Sequence, residues 1–447
     1  MKEPRLLTTS LPPHRFLKPK MGRSGYKKNA QFIQLFRIFT HKIMGQLIFS
    51  SLPMFVSGFW ALLLLCSLLE SFDRTRLVLS LFMGNTALLY FGHCVFFNEF
   101  YSQIPVCDTL YTFTTLAAYP LLYIYLLSLT SPARRLRTSW LMLLPAFIMS
   151  IVVGVQYQMM TPAETRVFIE RCLYNEQFFG FTGIVSQIAI THLIIKIAIA
   201  FNVLWVMVAA LNALVGYDLH IKSVYSNVEG KTLISFKIFL YLFCFTSLAS
   251  FAFNIIGRYN FDSSFAIFTL PATIFSVLIF ILGLLGLRQK FTYETIEAEL
   301  QEPIEAVSAI DHTQNTKLAE RIDAIIEEKQ LFLLPNLKVS DIANELCTNR
   351  LYISHAINSV MHLSFSDYIN KKRIEFATQL FCTQPNKPIT DIALESGFAS
   401  QNSFYRNFKN FKGCSPKVFA RNHNTPPTPP PFERGAFIGI AETEKKN

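Results

Sequence analysis

The chain has 447 residues, 51% of them hydrophobic and only 16% charged, with a formal net charge of +11. A soluble protein carries about 25% charged residues, so this composition excludes a uniformly soluble chain, and the basic balance points to an anionic partner, nucleic acid or lipid headgroups. The eight cysteines show no CxxC and no Cys/His ligand spacing, so neither a zinc site nor another resident metal or cofactor is expected.

Residues 1–43 form a basic tail with ten Lys and Arg. Residues 44–288 hold the apolar excess. A stretch of about 20 apolar residues spans a bilayer as a helix, because lipid offers the backbone no hydrogen-bond partners. Seven such stretches occur, at 47–69, 77–97, 107–130, 139–158, 184–212, 233–256 and 266–288. The fifth is long enough to tilt or to project beyond the lipid.

Lys and Arg in short loops set orientation. Arg74 and Arg76, then Arg134, Arg135 and Arg137, then Lys222 and Lys231 alternate with poorer loops at 98–106, 159–183 and 257–265. The richer set is expected inside, which puts the chain after Arg288 in the cytoplasm and the N-terminus outside. The basic tail resists export and disagrees. Either translation starts at Met44 or Met21 rather than Met1, with Met44 favoured, or the topology is inverted.

Ionisable groups inside a bilayer are costly and need a reason. His93, Asp108, His192, Lys196 and Asn254 fall in the outer half of the spans, with His192 and Lys196 on one helix face. They are candidates to line a pocket for a polar or anionic ligand. The competing reading is packing and interhelical hydrogen bonding, with Asp108 at the headgroups. Cys107 and Cys172 are a candidate disulfide on the outer side, with Cys94 as a competitor.

Residues 289–315 form an acidic linker, either solvated or a signalling helix, and Pro303 interrupts it. Residues 316–422 contain a near-repeat: "SDIANE" at 340–345 returns as "TDIALE" at 390–395. Each copy is an apolar-faced helix, a tight turn and a second helix. Gly397 suits the left-handed turn of the later copy, and Cys347 holds the matching place in the earlier one. Phe404, Phe408 and Phe411 form the inner stripe of the later second helix, with Ser400 as its cap. Ile353, Ala356, Ile357 and Val360 form that of the earlier one. Between the copies, "SFSDYINKKRIEFATQLFCT" reads as one helix of about 19 residues, roughly 28 Å long. That is close to the ~34 Å of one DNA turn, so two reading helices would enter successive major grooves.

Ile392-Ala393, Gly397-Phe398, Phe404, Phe408-Lys409, Gly413 and Pro416, together with the connecting helix, resemble the arabinose-regulator (AraC) type of DNA-binding domain. The resemblance covers about a quarter of the chain. It implies seven helices, sequence-specific binding of double-stranded DNA and RNA polymerase as a partner. It places base readout on Gln401, Asn402, Ser403 and Arg406, and on Leu351, Ser354 and His355 flanked by Arg350, with Lys409 on a phosphate. The earlier copy ends in "NSVMH", without the basic residues usual there. Eleven Lys and Arg against six Asp and Glu over residues 330–425 suit phosphate binding. Residues 423–447 are Pro-rich and expected to be disordered.

The whole reads as an all-α chain: a seven-span bundle followed by a cytoplasmic double helix-turn-helix domain. The arrangement resembles bacterial membrane-embedded regulators, which implies the inner membrane, a small-molecule or membrane signal, and a homodimer on paired half-sites. Two rivals stay open. One is a transporter or membrane enzyme with an appended regulatory domain, although no HExxH, GxSxG, Walker loop or kinase motif occurs. The other is an interaction protein whose helix pairs bind protein.

Overall fold

The computed structural model describes residues 23–256, 265–289, 292–293, 295–296 and 312–424, with side chains from residue 47 onward. The starts at Met1 and Met21, the side chains of Met44 and Asn254, Pro303 with the linker's acidic middle, and the Pro-rich tail lie outside them. Every regular element described is a helix.

The N-terminal region comprises α1 (Arg23–Glu70), α2 (Arg74–Phe97), α3 (Ile104–Thr130), α4 (Ala133–Ser139), α5 (Leu144–Met159), α6 (Pro162–Val167), α7 (Gly183–Val224), α8 (Ile234–Ile256) and α9 (Phe265–Arg288). Among the described residues, six segments are long and apolar enough to cross a membrane: Leu47–Glu70, Arg74–Phe97, Ile104–Thr130, Arg135–Met159, Gly183–Val224 and Thr269–Arg288. The sixth expected span coincides with α8, whose side chains are described through Ala249. These helices suggest a membrane protein.

Two stretches differ from expectation. The fourth span is not one α-helix: α4 passes through a 3-10 turn at Trp140–Leu143 before α5 begins. Pro145, at the start of α5, has no N–H to continue the preceding ladder. The fifth is longer than 184–212. Helix α7 runs for 42 residues, roughly 63 Å, twice a ~30 Å hydrocarbon core.

Helix α3 is the centre of the bundle, with 83% of its apolar window buried. It packs against α2, α5 and α7, while α9 closes the bundle against α1, α2 and α8. Glycines let α9 in: a Cβ on Gly283 would lie 2.2 Å from the Trp60 ring, and one on Gly286 would lie 2.1 Å from Leu79. Buried hydroxyls turn back on their own helix, as Ser57 does to Pro53 O at 2.6 Å and Thr86 to Phe82 O at 2.8 Å. Phe55, Phe59, Leu62, Ile151, Ile197, Phe201 and Phe245 point outward and are exposed, an apolar surface larger than a soluble monomer tolerates.

The C-terminal region has seven helices among the described residues: α10 (His312–Glu328), α11 (Val339–Glu345), α12 (Arg350–Met361), α13 (Phe365–Thr383), α14 (Ile389–Glu395), α15 (Gln401–Lys412) and α16 (Pro416–Asn424). Helix α13 has the 19 residues read from the sequence, and Ser364 caps it through Asp367 N. It holds two helix pairs apart, α11–α12 and α14–α15. The later pair has its own core of Ile374, Phe381, Ile392, Phe398, Phe404 and Phe408. The earlier pair does not. Its Ile342, Ile353 and Ile357 belong to one apolar core with Tyr217, Ile221, Val224 and Tyr225 of the bundle.

The turns inside the pairs match, with φ of +80° at Gly397 and +48° at Cys347. A Cβ at Gly397 would also lie 2.6 Å from Phe332 O. Gly397→Ala is therefore expected to destabilise the C-terminal domain by about 2–4 kcal/mol. Cys347→Gly, which removes a Cβ from a left-handed residue, is expected to stabilise it by up to about 1 kcal/mol. Thermal unfolding of the two variants checks both signs.

Candidate DNA-reading surface and bundle cavity

Helix α15 presents the more open of the two candidate reading faces. Its N-cap Ser400 accepts the Ser403 N–H at 3.1 Å. Phe404 and Phe408 are fully buried, so Gln401, Asn402, Arg406 and Lys409 stand together on the exposed side. Ser403 is a correction: it lies one residue before Phe404, is 7% exposed, and its carbonyl accepts the Asn407 amide at 2.9 Å. It faces inward, where no base edge reaches. Phe411 is the opposite correction. It extends the inner stripe by sequence, but at 36% exposure it stands near the surface.

Helix α12 buries Ile353, Ala356 and Ile357 as expected, with Val360 half-buried. His355 is exposed, with its Nδ1 3.4 Å from Asn315 Oδ1. Leu351 is half-buried. Arg350, expected beside the reading face, is 4% exposed; at the first helical position it turns into the domain. Ser354 donates 3.0 Å to Ser223 O, in the last turn of α7. Of the candidate reading residues on α12, Ser354 is thus bonded to the bundle while His355 stays exposed.

A charged cluster ties α13 to α10. Lys372 on α13 lies 2.8 Å from Asp323 and 2.6 Å from Glu327 on α10, and Tyr368 donates to Asp323 at 2.7 Å. Partial burial opposes ionisation, but Lys372 and Tyr368 outweigh it and hold the Asp323 carboxyl below its usual range. A carboxyl lowered on folding stabilises the fold above its unfolded pKa, near 4. That contribution fades as pH falls through the lower folded value. Asp323→Asn is expected to cost stability at neutral pH and to flatten the acid limb below about pH 4, measured as unfolding midpoints against pH.

The bundle holds a partly open cavity of about 480 Å³, within the range of small-molecule sites. Four of the expected polar residues meet there: His93, Asp108, His192 and Lys196 all line it. His192 Nε2 lies 2.9 Å from Asp108 Oδ2, and its Nδ1 lies 2.9 Å from Ile188 O. Tyr157 donates to the same Asp108 oxygen at 2.8 Å. The two ring nitrogens of His192 thus face the Ile188 carbonyl and the Asp108 carboxyl, and the imidazole and carboxyl form an acid–base pair. Lys196 Nζ lies 3.5 Å from Glu176 and 4.6 Å from the centre of the Phe178 ring. His93 and Tyr111 stand 3.2 Å apart. Both basic groups at this end are thus matched by carboxylates. The rest of the wall is mainly apolar, with Phe243, Phe275 and Ile279, and carries hydroxyls of Thr86, Thr115, Tyr119 and Ser247.

The candidate disulfide is not formed in this structure. Cys107 and Cys172 are both buried free thiols. Cys107 packs with Val95, Ile104 and Ile169, while Cys172 belongs to the main bundle core, on the π-helical turn Phe168–Tyr174.

Sequence reasoning missed the partners Tyr157, Glu176 and Tyr111 and the whole 223–229 contact. Tyr157 lies 49 positions from Asp108, and no local pattern joins them.

Residues 342–422 match the family model described as "Helix-turn-helix domain". An uncharacterized HTH-type transcriptional regulator of Staphylococcus aureus strain MSSA476 is 29% identical over 100 residues, covering 22% of this chain and 13% of that protein. The melibiose operon regulatory protein of Escherichia coli K12 is 28% identical over 124 residues, covering 27% of this chain and 40% of that protein. A Listeria innocua protein of unknown function shares 25% identity, with a TM-score of 0.22 over 23% of this chain and 95% of its own. The chain spans well under half of the length of these curated relatives. The C-terminal region is an AraC-type helix-turn-helix domain, and its relatives support a DNA-binding transcription regulator.

Proposed function

We propose that the protein is a membrane-bound one-component regulator that reads double-stranded DNA through both helix pairs under control of a signal taken by the bundle. The observation that carries this reading is one continuous helix, α7, with the cavity residues His192 and Lys196 near one end and the AraC-type domain against the other. In this reading residues 44–288 are the sensor, 289–315 the linker and 316–422 the DNA-binding domain. The 222–233 loop, which the lysine pattern puts in the cytoplasm, touches the domain that must be there to meet DNA.

The cavity's charges are balanced, which favours an uncharged or zwitterionic amphipathic signal over the anion suggested by Lys196 alone. Its polar end would lie at Asp108 and His192, and its apolar body along Phe243 and Phe275. RNA polymerase and a second copy of the chain are the further partners the regulator reading entails.

Full-length protein in lipid nanodiscs, used to select from a random duplex pool, tests the DNA half. A recurring sequence is expected. Arg406→Ala should lose information at one position and weaken binding by about 1–3 kcal/mol. Lys409→Ala should weaken all sequences alike and lower the salt slope by about 1. Binding that is sequence-blind in wild type and variants alike would sink the reading.

A further inference from the structure

The loop between α7 and α8 is held by the C-terminal domain more tightly than a passing contact requires. Ser226 is 1% exposed. Its N–H donates to Leu337 O at 3.1 Å, and its carbonyl accepts Ser366 Oγ at 3.0 Å and Asn370 Nδ2 at 3.2 Å. Its hydroxyl accepts Arg373 Nη2 at 3.2 Å. Beside it Tyr225 and Lys338 form an antiparallel β-bridge. Asn227 donates to Asn336 at 3.4 Å.

Two contacts fall on the candidate reading surface itself. Ser354 spends its hydroxyl on Ser223 O, one of the last carbonyls of α7 that has no partner within the helix. A major groove is about 8.5 Å deep and must receive the whole outer face of a reading helix. With the end of α7 bonded to Ser354 at 3.0 Å, that part of the α12 face is withheld from a groove. At α15, the Glu229 carboxylate takes the hydroxyl of Ser400, the helix N-cap. The N-terminus of a reading helix is a place for a backbone phosphate, and here an acidic side chain holds the capping group.

We propose that the segment Ser223–Glu229 is an intramolecular lock: it ties the candidate reading residue Ser354 of α12 to the end of α7 and sets a carboxylate at the N-cap of α15, where a DNA phosphate would lie. The structure is then a state in which α12 is withheld from DNA and α15 binds it weakly. From His192 to Ser223 helix α7 is unbroken over roughly 46 Å at 1.5 Å per residue, so a shift of that helix at the cavity is delivered to the lock. Asp218 and Lys237, 2.5 Å apart, tie the end of α7 to α8 and make the loop move with both. This rests on the regulator reading above, and the test separates the two.

The test uses the full-length chain in nanodiscs, with the exposed Cys66, Cys347 and Cys382 changed to Ser and Ser354→Cys introduced as a reporter. The first readout needs no DNA: the rate of maleimide labelling at position 354. Ser226→Arg, which forces a bulky charge into the knot, is expected to raise the rate at least about tenfold. Glu229→Ala, at an exposed position, is the companion variant in the chain that keeps Ser354. It should tighten binding to the selected duplex about tenfold and extend the footprint from the α15 half-site to both. Equal labelling rates, or an unchanged footprint and affinity in a chain that still binds through α15, would overturn the lock. Faster labelling with no duplex bound by any form would keep the lock and remove the DNA reading instead.

Discussion

A serine that gives its N–H, its carbonyl and its hydroxyl to another domain is the joint on which this molecule turns. Ser226 sits in a loop of the bundle, and its four bonds end on Leu337, Ser366, Asn370 and Arg373. Arg373 explains why the joint is particular. It is 1% exposed, and burial lowers its guanidinium to about 10. It is fed by neutral acceptors: Phe332 O and Leu334 O at 2.6 Å each, Asn370 Oδ1 at 3.1 Å and the Ser226 hydroxyl. A buried cation is tolerated only when its donors are satisfied. The bundle supplies one of those acceptors, so the C-terminal domain's costliest buried group is completed by a residue of the other region.

The continuous apolar core has the same consequence. The earlier helix pair shares its core with Tyr217, Ile221 and Tyr225, while the later pair is packed around its own phenylalanines. Two copies of one sequence pattern therefore differ in autonomy. The later pair is a complete packing unit, and the earlier one is finished by the end of α7. That asymmetry matches the charge difference between the copies: "NSVMH" ends α12, whereas Lys409 and Lys412 end α15.

Much of this was legible in the sequence because it is local. Cap residues, the αL turn at Gly397, the 19-residue α13 and the long apolar runs follow from periodicity and turn chemistry over a few residues. Arg350 and Ser403 are buried, which neither helical spacing nor resemblance could show, because burial depends on neighbouring helices. The four described cavity residues converge as proposed, since burying an ionisable group in an apolar helix demands company. Their partners, Tyr157 from α5 and Glu176 from the loop before α7, were illegible for want of any short-range signal. So was the 223–229 contact, which joins positions more than 100 apart in the chain and reads locally as an ordinary polar loop.

The strength of the joint suits a switch better than a permanent seam. An intramolecular hydrogen bond contributes on the order of 1 kcal/mol net, and somewhat more where a donor is charged. The half-dozen bonds around Ser223–Glu229 therefore amount to several kcal/mol before the ordering of the loop is subtracted. A ligand moves a two-state equilibrium by its difference in affinity for the two states, and about 5.5 kcal/mol carries it from 1:99 to 99:1. A lock of this size lies within reach of one small molecule in the 480 Å³ cavity. Its two acid–base pairs make the cavity sensitive to an occupant in a second way. An occupant that separates Asp108 from His192 must satisfy both groups, since each is only 11% exposed and an unpaired charge there is costly. Such a ligand would have to replace the contacts that hold α7 to α3 at this point, and α7 is the helix that ends at the lock.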